Sequence, residues 1–157
     1  MPDDCSLFST GAQTSDCASS QGQLSSLTNS AMRTILLVED SEYIAVPLEI
    51  ALTCLDGMCV LRASNTSEAD KILFGTDHQV AALITELHLP QTDGFQFITQ
   101  VRRMYPSVRL PILVVAGDDN PNTSSRLFHL GADAYFLKPF SVTAVRQKLN
   151  SLLQARP

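Results

Sequence analysis

From residue 33 onward the chain alternates between short, wholly apolar runs and longer segments whose apolar side chains recur at helical spacing. The apolar runs predict buried strands of a parallel sheet, because such strands are covered on both faces. Three of these strands are clear from their β-branched residues, and they lie at 35–38, 80–84 and 112–115. Weaker runs predict two further strands at 58–62 and 134–137.

Five helices are predicted to alternate with these strands, at 42–55, 67–74, 94–105, 122–130 and from Ser141 onward. Pro47 lies inside the first helix, where its missing N–H is expected to kink or loosen the first turns. Asn65 or Thr66 is the expected N-cap of the second. The strict alternation predicts an α/β protein, a doubly wound parallel sheet with helices on both faces.

The first 32 residues differ in composition from the rest. They are rich in Ser and Thr, contain three Asp and no Lys or Arg, and offer few large apolar side chains. We therefore expect a disordered tail at 1–32 and one folded domain at 33–157. The tail is either a partner-binding segment or an unselected extension. Met32, directly before the first strand, is a candidate for the true translation start.

Composition narrows the classes of function. A chain of 157 residues that is 45% apolar can build one core without disulfides or metal. A net charge of −5 disfavours a protein that coats nucleic acid. We find no apolar run long enough for a membrane span and no signal peptide, so the expected compartment is the cytoplasm. The four cysteines are then expected to stay reduced, and none forms a CxxC pair.

Candidate chemistry lies where the predicted strands end. In an open parallel sheet, ligands bind outside the carboxyl ends of the strands. The side chains at these ends are mostly charged, and they are Glu39, Asp40, Glu86, Ala116 and Lys138. The peptide bond between Lys138 and Pro139 is a candidate for the cis form, which is largely confined to X-Pro bonds.

Over residues 33–155 the sequence resembles a bacterial response-regulator receiver domain. The resemblance rests on the motifs ILLVEDS (35–41), ITELHLPQTDGFQFI (84–98), PILVVAG (111–117) and GADAYFLKPFS (131–141). It implies a (βα)5 flavodoxin-like fold with strand order 2-1-3-4-5. Because no output domain follows the last helix, we expect a stand-alone receiver that acts by contacting another protein.

The resemblance also implies a role for each residue at the strand ends. Glu39 and Asp40 match the acidic pair that helps to hold Mg²⁺, and Lys138 matches the lysine that pairs with the phosphoryl group. Tyr135 matches the switch aromatic. Glu86 stands where the family has its phosphoacceptor Asp, and Ala116 stands where it has a Thr or Ser.

These two departures predict a pseudo-receiver that is not an enzyme and does not accept phosphate in the usual way. The longer side chain of Glu86 is expected to reach toward Lys138, and Tyr135 is expected to sit inward without phosphorylation. Glu39, Asp40 and Glu86 are expected to bind Mg²⁺ or Mn²⁺ only weakly. Phosphate mimicry by Glu86, loss of function and residual phosphorylation remain open.

The first functional hypothesis is an adaptor in two-component signal transduction. It would bind a histidine kinase or a downstream signalling protein through the helix at 122–130, the strand at 134–137 and the last helix. A homodimer stays open, and neither nucleic acid nor membrane is an expected partner. The alternative is a conventional response regulator that takes phosphate from a histidine kinase. A small-ligand binder is disfavoured, because the loop after the first strand is acidic.

The remaining charged and imidazole side chains are interpreted as surface groups. Arg102 and Arg103 are expected to lie on a solvated helix face. His78 and His129 are likewise assigned to the surface, because no partner is evident for them in the sequence. His88 lies two residues after Glu86, where the resemblance implies a backbone carbonyl that faces the metal, and its imidazole is interpreted as a surface side chain and not as a ligand.

Overall fold

The computed structural model describes residues 32–105 and 110–155. Five strands form one parallel sheet, and all five were predicted from the apolar runs. They are β1 (Arg33–Val38), β2 (Met58–Ala63), β3 (Val80–Glu86), β4 (Ile112–Ala116) and β5 (Ala134–Leu137). Their spatial order is β2-β1-β3-β4-β5, which confirms the flavodoxin-like fold. Of the predicted tail only Met32 is described, so the disorder of that tail stays a prediction.

Five helices connect and follow these strands. They are α1 (Glu42–Thr53), α2 (Thr66–Phe74), α3 (Gly94–Met104), α4 (Pro121–His129) and α5 (Val142–Gln154). Asn65 is the N-cap of α2, since its side chain accepts a hydrogen bond from the backbone N–H of Glu68 at 2.9 Å. Helix α1 continues through Pro47 without interruption. Within the described residues, no helix is both long and apolar enough to cross a lipid bilayer.

The sheet separates two apolar clusters, as the wholly apolar strands predict. Side chains alternate along β1, so that Leu36 belongs to one cluster and Ile35 and Leu37 to the other. The first cluster includes buried side chains of α2, α3 and α4, and the second includes those of α1 and α5. Full burial of each large aliphatic side chain contributes about 1.5–3 kcal/mol. This two-sided core holds the strand ends, and therefore the candidate site, in fixed positions.

A two-residue ribbon after β3 was not predicted. His88–Leu89 pairs antiparallel with Thr92–Asp93, and Gln91 between them has a positive φ of 67°. Gly94 then opens α3 so close to the ribbon that a Cβ there would lie 2.4 Å from the carbonyl oxygen of Leu87. Only glycine permits this approach, which places the ribbon against the start of α3.

The two arginines near the end of α3 do not share one environment. Arg103 is exposed, as predicted, but the assignment of Arg102 to a solvated face is wrong. The guanidinium of Arg102 donates to the carbonyl oxygens of Gly131 (2.6 Å) and Leu110 (2.7 Å). It also pairs with the carboxylate of Asp133 at 3.0 Å. Arg102 therefore ties α3 to the segments that lead into β4 and β5.

Candidate functional site

One lysine joins two buried carboxylates at the carboxyl edge of the sheet. Glu39 follows β1 and is 1% exposed, and Glu86 ends β3 and is 5% exposed. Lys138 follows β5, and its peptide bond to Pro139 is cis. The Lys138 ammonium donates to Glu39 Oε2 at 3.0 Å and to Glu86 Oε2. The predicted contact between Glu86 and Lys138 is therefore present.

The Glu86 carboxylate is also bound by the backbone that follows it. Its Oε1 accepts hydrogen bonds from the N–H of Leu87 at 2.7 Å and of His88 at 3.0 Å. Its Oε2 faces the ammonium of Lys138. Hydrogen bonds to an ionised group are about twice as strong as those between neutral groups. Both oxygens of Glu86 are thus engaged by donors from the chain itself.

The electrostatics of the triad formed by Glu39, Glu86 and Lys138 favour the protonated form of Lys138. Burial raises the pKa of Glu39, and this outweighs the hydrogen bonds from Lys138 and the Ser41 N–H, which lower it. Burial alone would lower the pKa of Lys138, but hydrogen bonds to Glu86 and Glu39 outweigh it, so the net shift is upward. The Lys138 ammonium therefore stays protonated at neutral pH and acts as a resident cation.

Ala116 and Tyr135 lie beside this triad. Ala116 is fully buried at the end of β4, and its carbonyl oxygen accepts a hydrogen bond from the Lys138 N–H at 2.8 Å. Tyr135 is half-buried, packs against the cluster that contains Ala116, and donates its hydroxyl to the carbonyl oxygen of Asp118. Burial and the Asp118 carboxylate raise the pKa of Tyr135. The ring is thus held against the protein, while its role as a switch stays a prediction.

The carboxylates are poorly arranged for a divalent cation. Glu39 and Glu86 both face the Lys138 ammonium, whereas Asp40 is exposed. Across residues 32–105 and 110–155, no group of three His, Cys, Asp or Glu side chains is placed to hold a metal ion. The metal-binding roles of Glu39, Asp40 and Glu86 remain a prediction.

Asp118, in the loop after β4, is a site residue that the sequence did not reveal. Its carboxylate accepts hydrogen bonds from the Asn120 N–H at 2.9 Å and the Thr123 hydroxyl at 2.8 Å, and these bonds lower its pKa. Its carbonyl oxygen binds Tyr135. An aspartate two residues before another polar residue is common in turns, so sequence alone gave no reason to select it.

An exposed apolar stripe on α1 was also missed. Tyr43 is 88% exposed and Ile50 is 63% exposed, and Val46 and Pro47 lie between them on the same side. The spacing i, i+3, i+4 and i+7 marks one face of a helix. This spacing could have been read from the sequence beside the inward-facing set. Exposed apolar side chains on one helix face are a feature that protein contact surfaces also show when the patch is large.

Comparison with known proteins identifies the class to which this fold and site belong. The sequence profile of the response regulator receiver domain matches residues 35–150. The chain belongs to this family of signalling modules, which serve two-component systems.

Individual relatives agree with this assignment. The chain is 29% identical over 126 residues to the phosphate regulon transcriptional regulatory protein PhoB of Pseudomonas aeruginosa, covering 78% of this chain and 52% of the relative. It is 31% identical over 116 residues to the transcriptional regulatory protein KdpE of Staphylococcus aureus, covering 73% and 47%. The chain thus spans about half the length of the curated relatives it matches.

Solved structures show the same fold over nearly their whole length. A putative response regulator from Chloroflexus aurantiacus has a TM-score of 0.69 and 30% identity, covering 79% of this chain and 98% of that one. The non-phosphorylated HemR receiver domain from Leptospira biflexa has a TM-score of 0.69 and 27% identity, covering 80% and 98%. The similar structures also include a Mn²⁺-bound form of response regulator Rcp1, which at 18% identity supports the fold alone.

Proposed function

We propose that this chain is an atypical receiver that does not accept a phosphoryl group at Glu86 in the ordinary way. It acts instead as a protein-interaction adaptor in two-component signal transduction. The observation that carries the proposal is the engagement of both Glu86 oxygens, one by two backbone N–H groups and one by the Lys138 ammonium. The proposed compartment is the cytoplasm.

The chemistry of the site supports the first half of this proposal. A carboxylate nucleophile must present a free oxygen in line with the phosphoryl donor, and productive geometry tolerates errors of only about 0.5 Å. The additional methylene of Glu86 displaces the carboxylate by about 1.5 Å relative to an aspartate. Ala116 has no hydroxyl to bind the transferred group. Attack by Glu86 would also break its bonds to Lys138 and to the backbone.

Exposed apolar side chains support the adaptor role. On the surface formed by α4, β5 and α5, Phe128 is 51% exposed and Leu137 is 43% exposed. Single exposed apolar side chains are common on protein surfaces, so these two support a contact surface here without requiring one. We propose that this surface contacts a histidine kinase or a downstream signalling protein, and a second copy of the chain is an alternative occupant.

Incubation with acetyl phosphate and Mg²⁺, followed by intact-mass measurement, tests the proposal. We expect no gain of a phosphoryl group for the natural sequence. The double variant Glu86→Asp, Ala116→Thr restores the shorter carboxylate and the hydroxyl, and we expect it to gain one phosphoryl group. A gain by the natural sequence that the Glu86→Gln variant abolishes would overturn the pseudo-receiver and support a conventional phosphoacceptor.

Metal binding gives an independent prediction. We expect Mg²⁺ to bind the natural sequence only weakly, because the Lys138 ammonium already occupies an oxygen of both Glu39 and Glu86. The Glu86→Asp variant should bind Mg²⁺ more tightly, because a shorter side chain withdraws from the ammonium and leaves oxygen ligands for the ion. NMR titration with MgCl₂, followed at Glu39, Asp40 and residue 86, measures both affinities. Equal affinities for the two proteins would contradict this reasoning.

A further inference from the structure

The two helices that flank a surface groove are free of acidic residues in an acidic protein. The whole chain contains 16 Asp and Glu and has a net charge of −5. Yet α3 contains Arg102 and Arg103 and no carboxylate, and α4 contains Arg126 and His129 and no carboxylate. Arg102 is directed inward to Asp133, so the exposed positive charge of these helices comes from Arg103 and Arg126.

The groove between α3 and α4 has a volume of about 450 Å³. Phe95, Thr99 and Arg103 line it from α3, Arg126 lines it from α4, and Leu130 lines it from the C-cap position directly after α4. Phe95 and Leu130 are half-buried and supply an apolar floor, whereas both arginines are exposed. The groove thus combines an apolar base with two cationic walls.

The side chain of Arg126 is held by an aromatic ring and not by an ion pair with a carboxylate. Its guanidinium carbon lies 3.9 Å above the centroid of the Phe95 ring, which is a cation–π contact. Among the described residues, 32–105 and 110–155, no carboxylate lies within ion-pair distance of Arg103 or Arg126. This contact holds the guanidinium near the groove floor and leaves its N–H groups available for an acceptor.

We propose that this groove binds an acidic segment of a partner protein that inserts an aliphatic side chain between α3 and α4. Charge complementarity selects the acidic chemistry, because Arg103 and Arg126 face solvent unpaired in the described structure. The apolar floor fits an aliphatic side chain of a protein segment. Two exposed arginines also offer too small a basic surface for the phosphate backbone of a nucleic acid. The proposal is independent of whether Glu86 accepts phosphate.

A synthetic peptide of alternating glutamate and leucine is the probe for this groove. We expect it to shift the NMR signals of the side-chain amides of Gln96 and Gln100, which border the groove. Arg103→Glu and Arg126→Glu should each weaken binding about threefold to tenfold. Lys148→Glu, an equal change of charge at an exposed position on α5, should alter affinity by less than about twofold because distant charges are screened. Circular dichroism verifies that each variant is folded.

Two further probes distinguish an acidic protein segment from an uncharged segment and from nucleic acid. A matching peptide of glutamine and leucine should bind at least about tenfold more weakly, since it lacks charge. A single-stranded oligonucleotide should bind more weakly than the acidic peptide. Equal binding of the glutamine peptide, tighter binding of the oligonucleotide, unaltered binding by the arginine variants, or no shift with the acidic peptide would each overturn the proposal.

Discussion

Replacement of Lys138 by methionine should destabilise the domain by about 3–5 kcal/mol, the usual cost of removing one partner from a buried ion pair. Methionine keeps the unbranched apolar stem of lysine but lacks the ammonium, so Glu39 and Glu86 lose their shared cation. Both carboxylates are almost inaccessible to water. They would therefore be buried near each other with like charges. Urea denaturation followed by circular dichroism measures the loss, and Lys148→Met on the exposed side of α5 is the control.

Two conditions should restore stability to the Lys138→Met variant. Burial already raises the pKa of Glu39 above its ordinary value of 4.5, and loss of the lysine raises it further. The folded variant then binds protons more readily than the unfolded chain, so its deficit should shrink as the pH falls toward 4.5. Millimolar MgCl₂ should also stabilise it relative to NaCl of equal ionic strength, because the freed carboxylates can bind the ion. A deficit that neither pH nor Mg²⁺ changes would mean that Lys138 stabilises the fold through packing alone.

Loss of the Arg102 side chain should have a similarly large effect. In Arg102→Ala, the carbonyl oxygens of Gly131 and Leu110 lose the guanidinium donor, and the Asp133 carboxylate, 4% exposed, loses its ion pair with Arg102. We expect a decrease of about 3–5 kcal/mol in the free energy of unfolding. Arg103→Ala, one position along the same helix, should change it by less than about 0.5 kcal/mol because Arg103 is exposed.

Arg102→Lys distinguishes the loss of charge from the loss of geometry. A lysine keeps the positive charge but cannot reach several acceptors with a planar fork. We expect it to recover less than half of the stability lost in Arg102→Ala. Full recovery by lysine would show that charge alone matters at this position, and equal effects of Arg102→Ala and Arg103→Ala would contradict the buried role of Arg102.

The strands and the edge that carries the site could be predicted because their signal is local. Every position in runs such as 35–38 is apolar. This pattern is typical of a short strand that is covered on both faces of a parallel sheet. The contact between Glu86 and Lys138 could be anticipated because parallel strands end at one edge and opposite charges were placed there. That inference also needed the resemblance to receiver domains, which implies that the residue at 86 and Lys138 face one another, together with the greater length of a glutamate side chain.

The features that escaped prediction depend on contacts between distant parts of the chain. Arg102 reads as a surface residue because its partner Asp133 lies 31 residues away and only the folded sheet brings them together. The ribbon after β3 has strands of two residues, too short to show any period. Glu39 and Asp40 look equivalent in sequence, but they follow the end of β1 in the loop that leads to α1, and the folded chain places their side chains in different environments. One is consequently buried and the other exposed.

The contacts of Lys138 with Glu39 and Glu86 affect how the protein's signalling output can be regulated. An ammonium that belongs to the chain is present in every copy, whatever the supply of magnesium or of a phosphoryl donor. On the proposed function, the state of each molecule is therefore set at synthesis. We expect the strength of its output to follow the number of copies in the cell, so that expression and degradation become the variables by which it is controlled.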